Sequence, residues 1–218
     1  MKKILLLFLF AVLLGSNINA QDDEASLFVW GARLGMNWAT IRGDFDEGLE
    51  ARTSGVIGIF TRLKLNSSFY VQPEVNYVLK GASRRITLLI GQSNQVLDYR
   101  LGFDYIEVPA LLKYNFGSEP TDGFKPEIFL GPFVAFNLSS SIEVKDVPNS
   151  EFSIENVKSS DYGIAFGTGI NFSVEYIDVI LELRYTLSLS SFDDNIDQAD
   201  LRNGKLGVFS ITTGFAVN

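Results

Sequence analysis

From Ser68 to Gly81 the chain runs SFYVQPEVNYVLKG, and apolar residues take every odd place. Phe69, Val71, Pro73, Val75, Tyr77 and Leu79 fall on one side of an extended segment. Tyr70, Gln72, Glu74, Asn76 and Lys80 fall on the other, with Val78 the exception. Side chains alternate between faces along a strand, so this spacing predicts a strand with one greasy and one wet face. It is also long. Globular strands are most often about 5–6 residues, whereas about 9–11 tilted residues cross a bilayer.

The same period recurs. Phe28, Trp30, Ala32, Leu34, Met36 and Trp38 alternate with Arg33 and Asn37. A second segment, with Ile57, Ile59 and Leu63 against Gly58 and Arg62, is blurred by Val56 and Phe60. Ile106 to Phe116 alternates around Glu107, Lys113 and Asn115, and Ile128 to Leu138 around Glu127, Gly131 and Asn137. Tyr162 to Val174, Ile177 to Leu189 and Phe209 to Val217 complete a set of eight predicted strands. The gaps alternate long and short. Ala39–Thr53, Gly81–Asp98, Ser139–Ser160 and Ser190–Leu206 are long; those at Asn66-Ser67, Gly117–Gly123 and Glu175–Ile177 are short. Up-and-down barrels in outer membranes have this rhythm, with short turns on one side and long loops on the other.

Alternation by itself fits both a soluble sandwich, greasy inside, and a membrane barrel, greasy outside. Strand length, the density of Leu and Ile from Ile177 to Leu189, and a wet face rich in Gly, Asn and paired charges favour the membrane. A closed ring also satisfies every backbone group in lipid, where each unpaired group costs several kcal/mol. The expected fold is an all-β, eight-stranded antiparallel up-and-down transmembrane β-barrel. Pro73 and Pro132 fall on the lipid side, where each removes a ladder bond, and are expected near a rim or bulge. Trp30, Trp38, Tyr77, Tyr114, Tyr162, Tyr176 and Tyr185 are candidates for aromatic belts.

The first residues stand apart. Lys2 and Lys3 precede the apolar run Ile4–Leu14, and Ala20 offers a small residue before Gln21. This is the pattern of a secretory signal peptide at residues 1–20, leaving 21–218 as the barrel domain. With no Cys in the chain, lipid attachment at the new N-terminus is excluded. A net charge of −8 argues against nucleic acid as partner. Absence of His removes the commonest general base and metal ligand. The expectation is therefore no catalysis and no cofactor.

Several motifs carry a family resemblance. Gly31–Asn37, Val71–Tyr77 with Lys80-Gly81, and Tyr105–Tyr114 are similar to the PorT-type outer-membrane β-barrel family of Bacteroidetes. Gly131-Pro132, Gly163–Gly169 and Leu183–Tyr185 are similar to it as well, so the likeness covers nearly the whole mature chain. It implies an eight-stranded barrel in the outer membrane of a Gram-negative cell. It implies little about activity, although the founding member is linked to protein secretion.

Eight charged residues share the wet parity: Arg33, Glu74, Lys80, Glu107, Lys113, Glu127, Glu182 and Arg184. A barrel of eight strands is just wide enough for side chains to fill. The expected role of these charges is a polar network replacing an apolar core, since buried charges must pair. The alternatives are a narrow gated pore or proton path, and an acid–base pair at Glu74 and Glu107. Gly163, Gly167 and Gly169 lack phosphate-loop spacing and are expected to make room for large neighbours. Asp193, Asn195 and Asp197 have calcium-loop spacing, but Gln198 stands where Gly is required. That loop, like Asp44, Asp46 and Glu47, is expected to be solvated. Expected partners are outer-membrane lipid and lipopolysaccharide and a secretion or surface partner protein, with the chain itself a monomer. The leading role is structural or surface interaction. The alternatives are membership of a secretion or transport assembly, and a soluble periplasmic barrel binding an apolar ligand.

Overall fold

The computed structural model describes residues 28–42, 49–90, 93–116, 124–144, 152–154, 157–174, 177–191 and 204–217. Residues 1–20, the acidic residues 44–47, Tyr176 and the loop 193–198 lie outside these. The described regular structure is all strand: β1 (Phe28–Arg42), β2 (Leu49–Lys64), β3 (Phe69–Ile90), β4 (Ser93–Asn115), β5 (Phe124–Val144), β6 (Phe152–Ser153), β7 (Ser160–Val174), β8 (Ile177–Ser188) and β9 (Lys205–Val217).

All pairings are antiparallel, in the order β4-β3-β2-β1-β9-β8-β7-β5-β6, with β4 also paired to β5. Each of the eight long strands thus has a hydrogen-bonded neighbour on both sides. The count of nine corrects the eight expected: β6 is a two-residue strand that pairs only with Ser141 and Ile142 of β5. Two residues carry no period for a sequence to display.

The gap expected from Gly81 to Asp98 is corrected too. β3 and β4 run through it as a ribbon paired from Gly81↔Gly102 to Ile90↔Ser93. β2 accompanies β3 only to Leu49↔Arg84, and β5 accompanies β4 only to Tyr99↔Val144. Beyond those points each strand of the ribbon is paired on one side only among the described residues.

The short connection after β2 is closed by Asn66, whose Oδ1 accepts from the amides of Ser68 and Phe69, both at 2.9 Å. This side-chain turn explains the abrupt reversal. The register shifts lie at Ala51/Val56 and Asp104/Tyr105, not at the prolines. Pro73 pairs with Ala110 and Pro132 with Ile164; pairing lapses beside them, between Phe60↔Glu74 and Leu63↔Val71, between Pro73↔Ala110 and Asn76↔Glu107, and between Pro109↔Phe133 and Leu112↔Leu130, yet resumes each time in the same register, which corrects the expectation of a rim or bulge. Alternate N–H groups point to opposite neighbours, so a single proline removes one bond and leaves the register intact.

Burial follows the period with its usual sense reversed. Leu34, Met36, Ile57, Ile59, Leu130, Phe166, Leu181, Leu183 and Ile211 are exposed, while Arg33, Glu74, Lys80, Lys113, Glu127 and Arg184 are buried. Leu181 is 47% exposed and Lys113 0%. Soluble proteins almost never fully bury Lys unless it is paired.

Candidate functional site: a buried ionic core

Alternation on seven strands, β1 to β5, β7 and β8, brings one charged side chain after another to the inner face. Glu74 of β3 is its centre. Arg184 of β8 grips it with two bonds, Nη1 to Oε2 at 2.7 Å and Nη2 to Oε1 at 2.8 Å. Arg33 Nη1 of β1 donates to the same Oε2 at 2.8 Å. Gln72 Nε2 and Asn76 Nδ2, two residues either side on β3, donate at 2.6 and 2.8 Å. The carboxylate is thereby fully occupied by charge-assisted bonds.

The network continues towards the short-turn end. Glu182 Oε2 accepts from Arg184 at 3.0 Å and lies 3.3 Å from Arg33 Nη1, and its Oε1 meets Lys113 Nζ. Lys113 also donates to Glu127 Oε1 at 2.7 Å. Arg62 closes this side, Nη2 to Glu127 Oε2 at 3.1 Å and Nε to Gln72 Oε1 at 2.9 Å. Nearer the long-loop end, Lys80 Nζ lies 2.7 Å from Glu107 Oε2 and 3.5 Å from Asp161 Oδ2. Asp161 also accepts from Ser188 Oγ at 2.6 Å. Across the two clusters Arg33, Arg62, Lys80, Lys113 and Arg184 are matched in number by Glu74, Glu107, Glu127, Asp161 and Glu182.

Aromatic rings fill the space between the charges. Lys80 Nζ sits 5.0 Å from the Tyr105 ring centre and 4.9 Å from that of Phe133. Phe129 lies under both Lys113 and Arg184, at 4.9 and 5.1 Å. Three of the inner rings have a glycine seat. A Cβ on Gly163 would meet Phe133 at 2.6 Å, one on Gly167 would meet Phe129 at 2.6 Å, and one on Gly31 would meet Phe60 at 2.2 Å. Apolar groups stop both ends. Phe60, Ile180 and Ala216 pack at the short-turn end. Ile41, Ala82, Phe103 and Leu206 pack at the other, covered by Ile154 and Val157.

All eight charges singled out in the sequence are buried; Arg33, Glu74, Lys113, Glu127, Glu182 and Arg184 share one cluster, while Lys80 and Glu107 pair in a second with Asp161. Arg62, Gln72, Asn76 and Asp161 were not singled out. Arg62 was hidden by Val56 and Phe60, which blur the period of β2, although its parity was readable. Gln72 and Asn76 are uncharged and flank Glu74 at the same parity. Glu74 and Glu107 are engaged separately, Glu74 by Arg33 and Arg184 and Glu107 by Lys80. The cavity beside them, lined by Arg33, Asn37, Asn76, Glu107 and Arg184 among others, is about 10 Å³. That is room for about one water. It has no space for a substrate, nor for the apolar ligand of a soluble carrier. Among the described residues no group of three or more His, Cys, Asp or Glu could hold a metal ion.

No curated protein matches the chain. Among solved structures it is similar to Neisserial surface protein A, at 16% identity and TM-score 0.46 over 89% of this chain and 99% of that one. It is similar to OprG from Pseudomonas aeruginosa, at 13% and 0.49 over 91% and 98%. It is also similar to Ail, the attachment invasion locus protein of Yersinia pestis, at 12% and 0.42 over 88% and 99%. Likeness at this level says nothing of activity. The family model described as outer membrane protein beta-barrel domain matches residues 19–194, most of the length, and the chain therefore belongs to that family of bacterial outer-membrane proteins.

Proposed function

We propose that residues 21–218, freed of a signal peptide at 1–20, form a closed eight-stranded up-and-down barrel whose lumen is packed shut. Its place in the outer membrane, and a structural or surface role without catalysis, follow from its family. The observation that carries the closed, lipid-facing reading is the reversed burial: Leu181 and Ile211 outside, Glu74 and Lys113 inside. Charges at the centre with hydrocarbon side chains around them suit a wall surrounded by lipid. The ionic core and its apolar stoppers leave no continuous path for ions. Work at the cell surface then falls to the long-loop end. Within the family, Val71–Tyr77 and Tyr105–Tyr114 support a place in the PorT-type group of Bacteroidetes.

Extraction and bilayer recording test this. The purified protein is expected to need detergent, to migrate faster on a gel before boiling than after, and to produce no conductance steps in a planar bilayer. Solubility without detergent would end the membrane reading, and steady channel currents would end the closed lumen. A place in a secretion or transport assembly is the second reading. It rests on the PorT resemblance, and its test is co-purification of secretion components from native outer membranes.

A further inference from the structure

The small cavity in the lumen touches both ionic clusters. Arg33 and Arg184, from the cluster around Glu74, and Glu107, from the one with Lys80 and Asp161, share its wall with Asn37, Asn76 and Val208. All six are buried strand residues. Four of them bring a buried side-chain atom that has no hydrogen-bond partner among the described residues: Nε of Arg33, Nε of Arg184, Oδ1 of Asn37 and Oδ1 of Asn76. Buried polar atoms are nearly always paired. Four such atoms on the residues around one small cavity point to an occupant that pairs them.

The rest of each side chain is committed, which fixes what the spare atoms are. Arg33 holds Glu74 Oε2 through Nη1 and Thr212 Oγ1 through Nη2, both at 2.8 Å. Arg184 spends its two Nη groups on Glu74 and Glu182. Each guanidinium is left with an unmatched Nε–H donor. Asn37 Nδ2 donates to Gly55 O at 3.0 Å and Leu79 O at 3.5 Å, and Asn76 Nδ2 to Glu74 Oε2 at 2.8 Å. Turning either amide over would set oxygen against oxygen, so both Oδ1 atoms are acceptors. Glu107 adds a carboxylate, whose Oε2 lies 2.7 Å from Lys80 Nζ and has lone pairs to spare. A cation here would face two guanidinium groups. A bare anion would face a carboxylate and two carbonyl oxygens. Only a small neutral molecule that both accepts and donates suits the wall, and a volume of about 10 Å³ admits one water.

We propose that the cavity is a binding site for a single long-lived water that joins the two ionic clusters into one network. It accepts from the Nε–H groups of Arg33 and Arg184 and donates to two of the three acceptors, Asn37, Asn76 and Glu107. Apolar groups stop the lumen above and below it, so exchange with bulk water waits on local opening of the barrel. The inference rests on the closed, packed lumen of the function proposed above.

The test counts long-lived waters in the detergent-solubilised full barrel by ¹⁷O magnetic relaxation dispersion, which sees water oxygens and not labile hydroxyl protons. V208I places one more methyl group at the cavity wall and is expected to displace the water. Its dispersion amplitude is expected to fall by one water per barrel, and its urea midpoint in vesicles to drop, because the buried donors and acceptors lose their partner. V134I, on the lipid face, is expected to change neither. An unchanged amplitude in V208I overturns the proposal. So does a raised midpoint, which is what filling a dry void would give. Loss of the wild-type signal on adding sodium chloride overturns it too, since an ion would then hold the site. Should V208I not fold, the wild-type protein decides alone. The Nε–H protons of Arg33 and Arg184 are expected to show water cross-peaks of opposite sign in laboratory-frame and rotating-frame Overhauser spectra, as a bound water gives and proton exchange does not; their absence overturns the proposal. Failure of the barrel reading is distinct, because it shows as absent heat-modifiable mobility before any water is counted.

Discussion

Glu74 shows what a buried charge does in this chain. Two guanidinium groups and two amides surround it, and its burial keeps bulk solvent away. Glu74→Ala leaves Arg33 and Arg184 facing each other, and losing one partner of a buried pair typically costs about 3–5 kcal/mol. The expected outcome is a loss of that order in urea unfolding from vesicles. Replacing Arg33, Glu74 and Arg184 together by Met or Leu is expected to cost much less, because fewer charges are then orphaned. Gly167 is a second sensitive point. Gly167→Ala drives a methyl into the Phe129 ring on which Lys113 and Arg184 rest. A loss of about 1–3 kcal/mol is expected from the same unfolding measurement.

Among the elements, β3 and β4 behave as two structures joined end to end. Gly81 has φ 141°, and a Cβ there would lie 1.9 Å from Leu101 O. Opposite it, Gly102 leaves room for Arg52, whose Nη1 donates to Lys80 O at 3.2 Å and Leu101 O at 3.0 Å. The β2 register shift at Ala51/Val56 is beside this point, so the guanidinium replaces ladder bonds that the shift interrupts. Gly81→Val and Arg52→Ala should then both loosen the ribbon at 82–101 while the wall below persists. Hydrogen exchange is expected to rise in that ribbon and not in β8 or β9. Equal loss of protection throughout would show that ribbon and wall are one unit.

For the whole molecule, two bands of outward aromatics mark an apolar belt. At the short-turn end Phe28 contacts Trp30, Phe69 contacts Tyr114, and Phe124 contacts Phe172, at 5.0–5.5 Å between ring centres. At the other end Trp38 contacts Phe209 at 5.9 Å and Phe166 contacts Tyr185 at 5.7 Å. Trp30 and Trp38 are about 26 Å apart along a strand and about 20 Å along the normal at a tilt of about 40°, close to the usual apolar height of about 25 Å. Leu181 lies between the bands. Leu181→Arg is expected to lower stability in a bilayer by about 2–4 kcal/mol, measured by reversible folding into vesicles. In a water-exposed barrel the same change would be neutral, so an unchanged midpoint would contradict the membrane setting.

The alternation of Ile177–Leu189 and of Ser68–Gly81 already determines which side chains share a face, because a strand allows only two directions. Absence of His and the wet-face charges are legible in the same way, residue by residue. What one strand cannot state is which face is inside: greasy-in and greasy-out have the same period, and only the pairing of all strands decides it. Partners were hidden for the same reason. Arg33 and Glu74 are distant in sequence, as are Lys80 and Asp161, and their meeting depends on register across several strands. The ribbon, paired on one side only beyond Arg84 and Tyr99, and the two-residue β6 left no periodic trace. Sequence set the faces because that is local geometry; tertiary structure set inside from outside and cation from carboxylate because both are properties of the enclosed space.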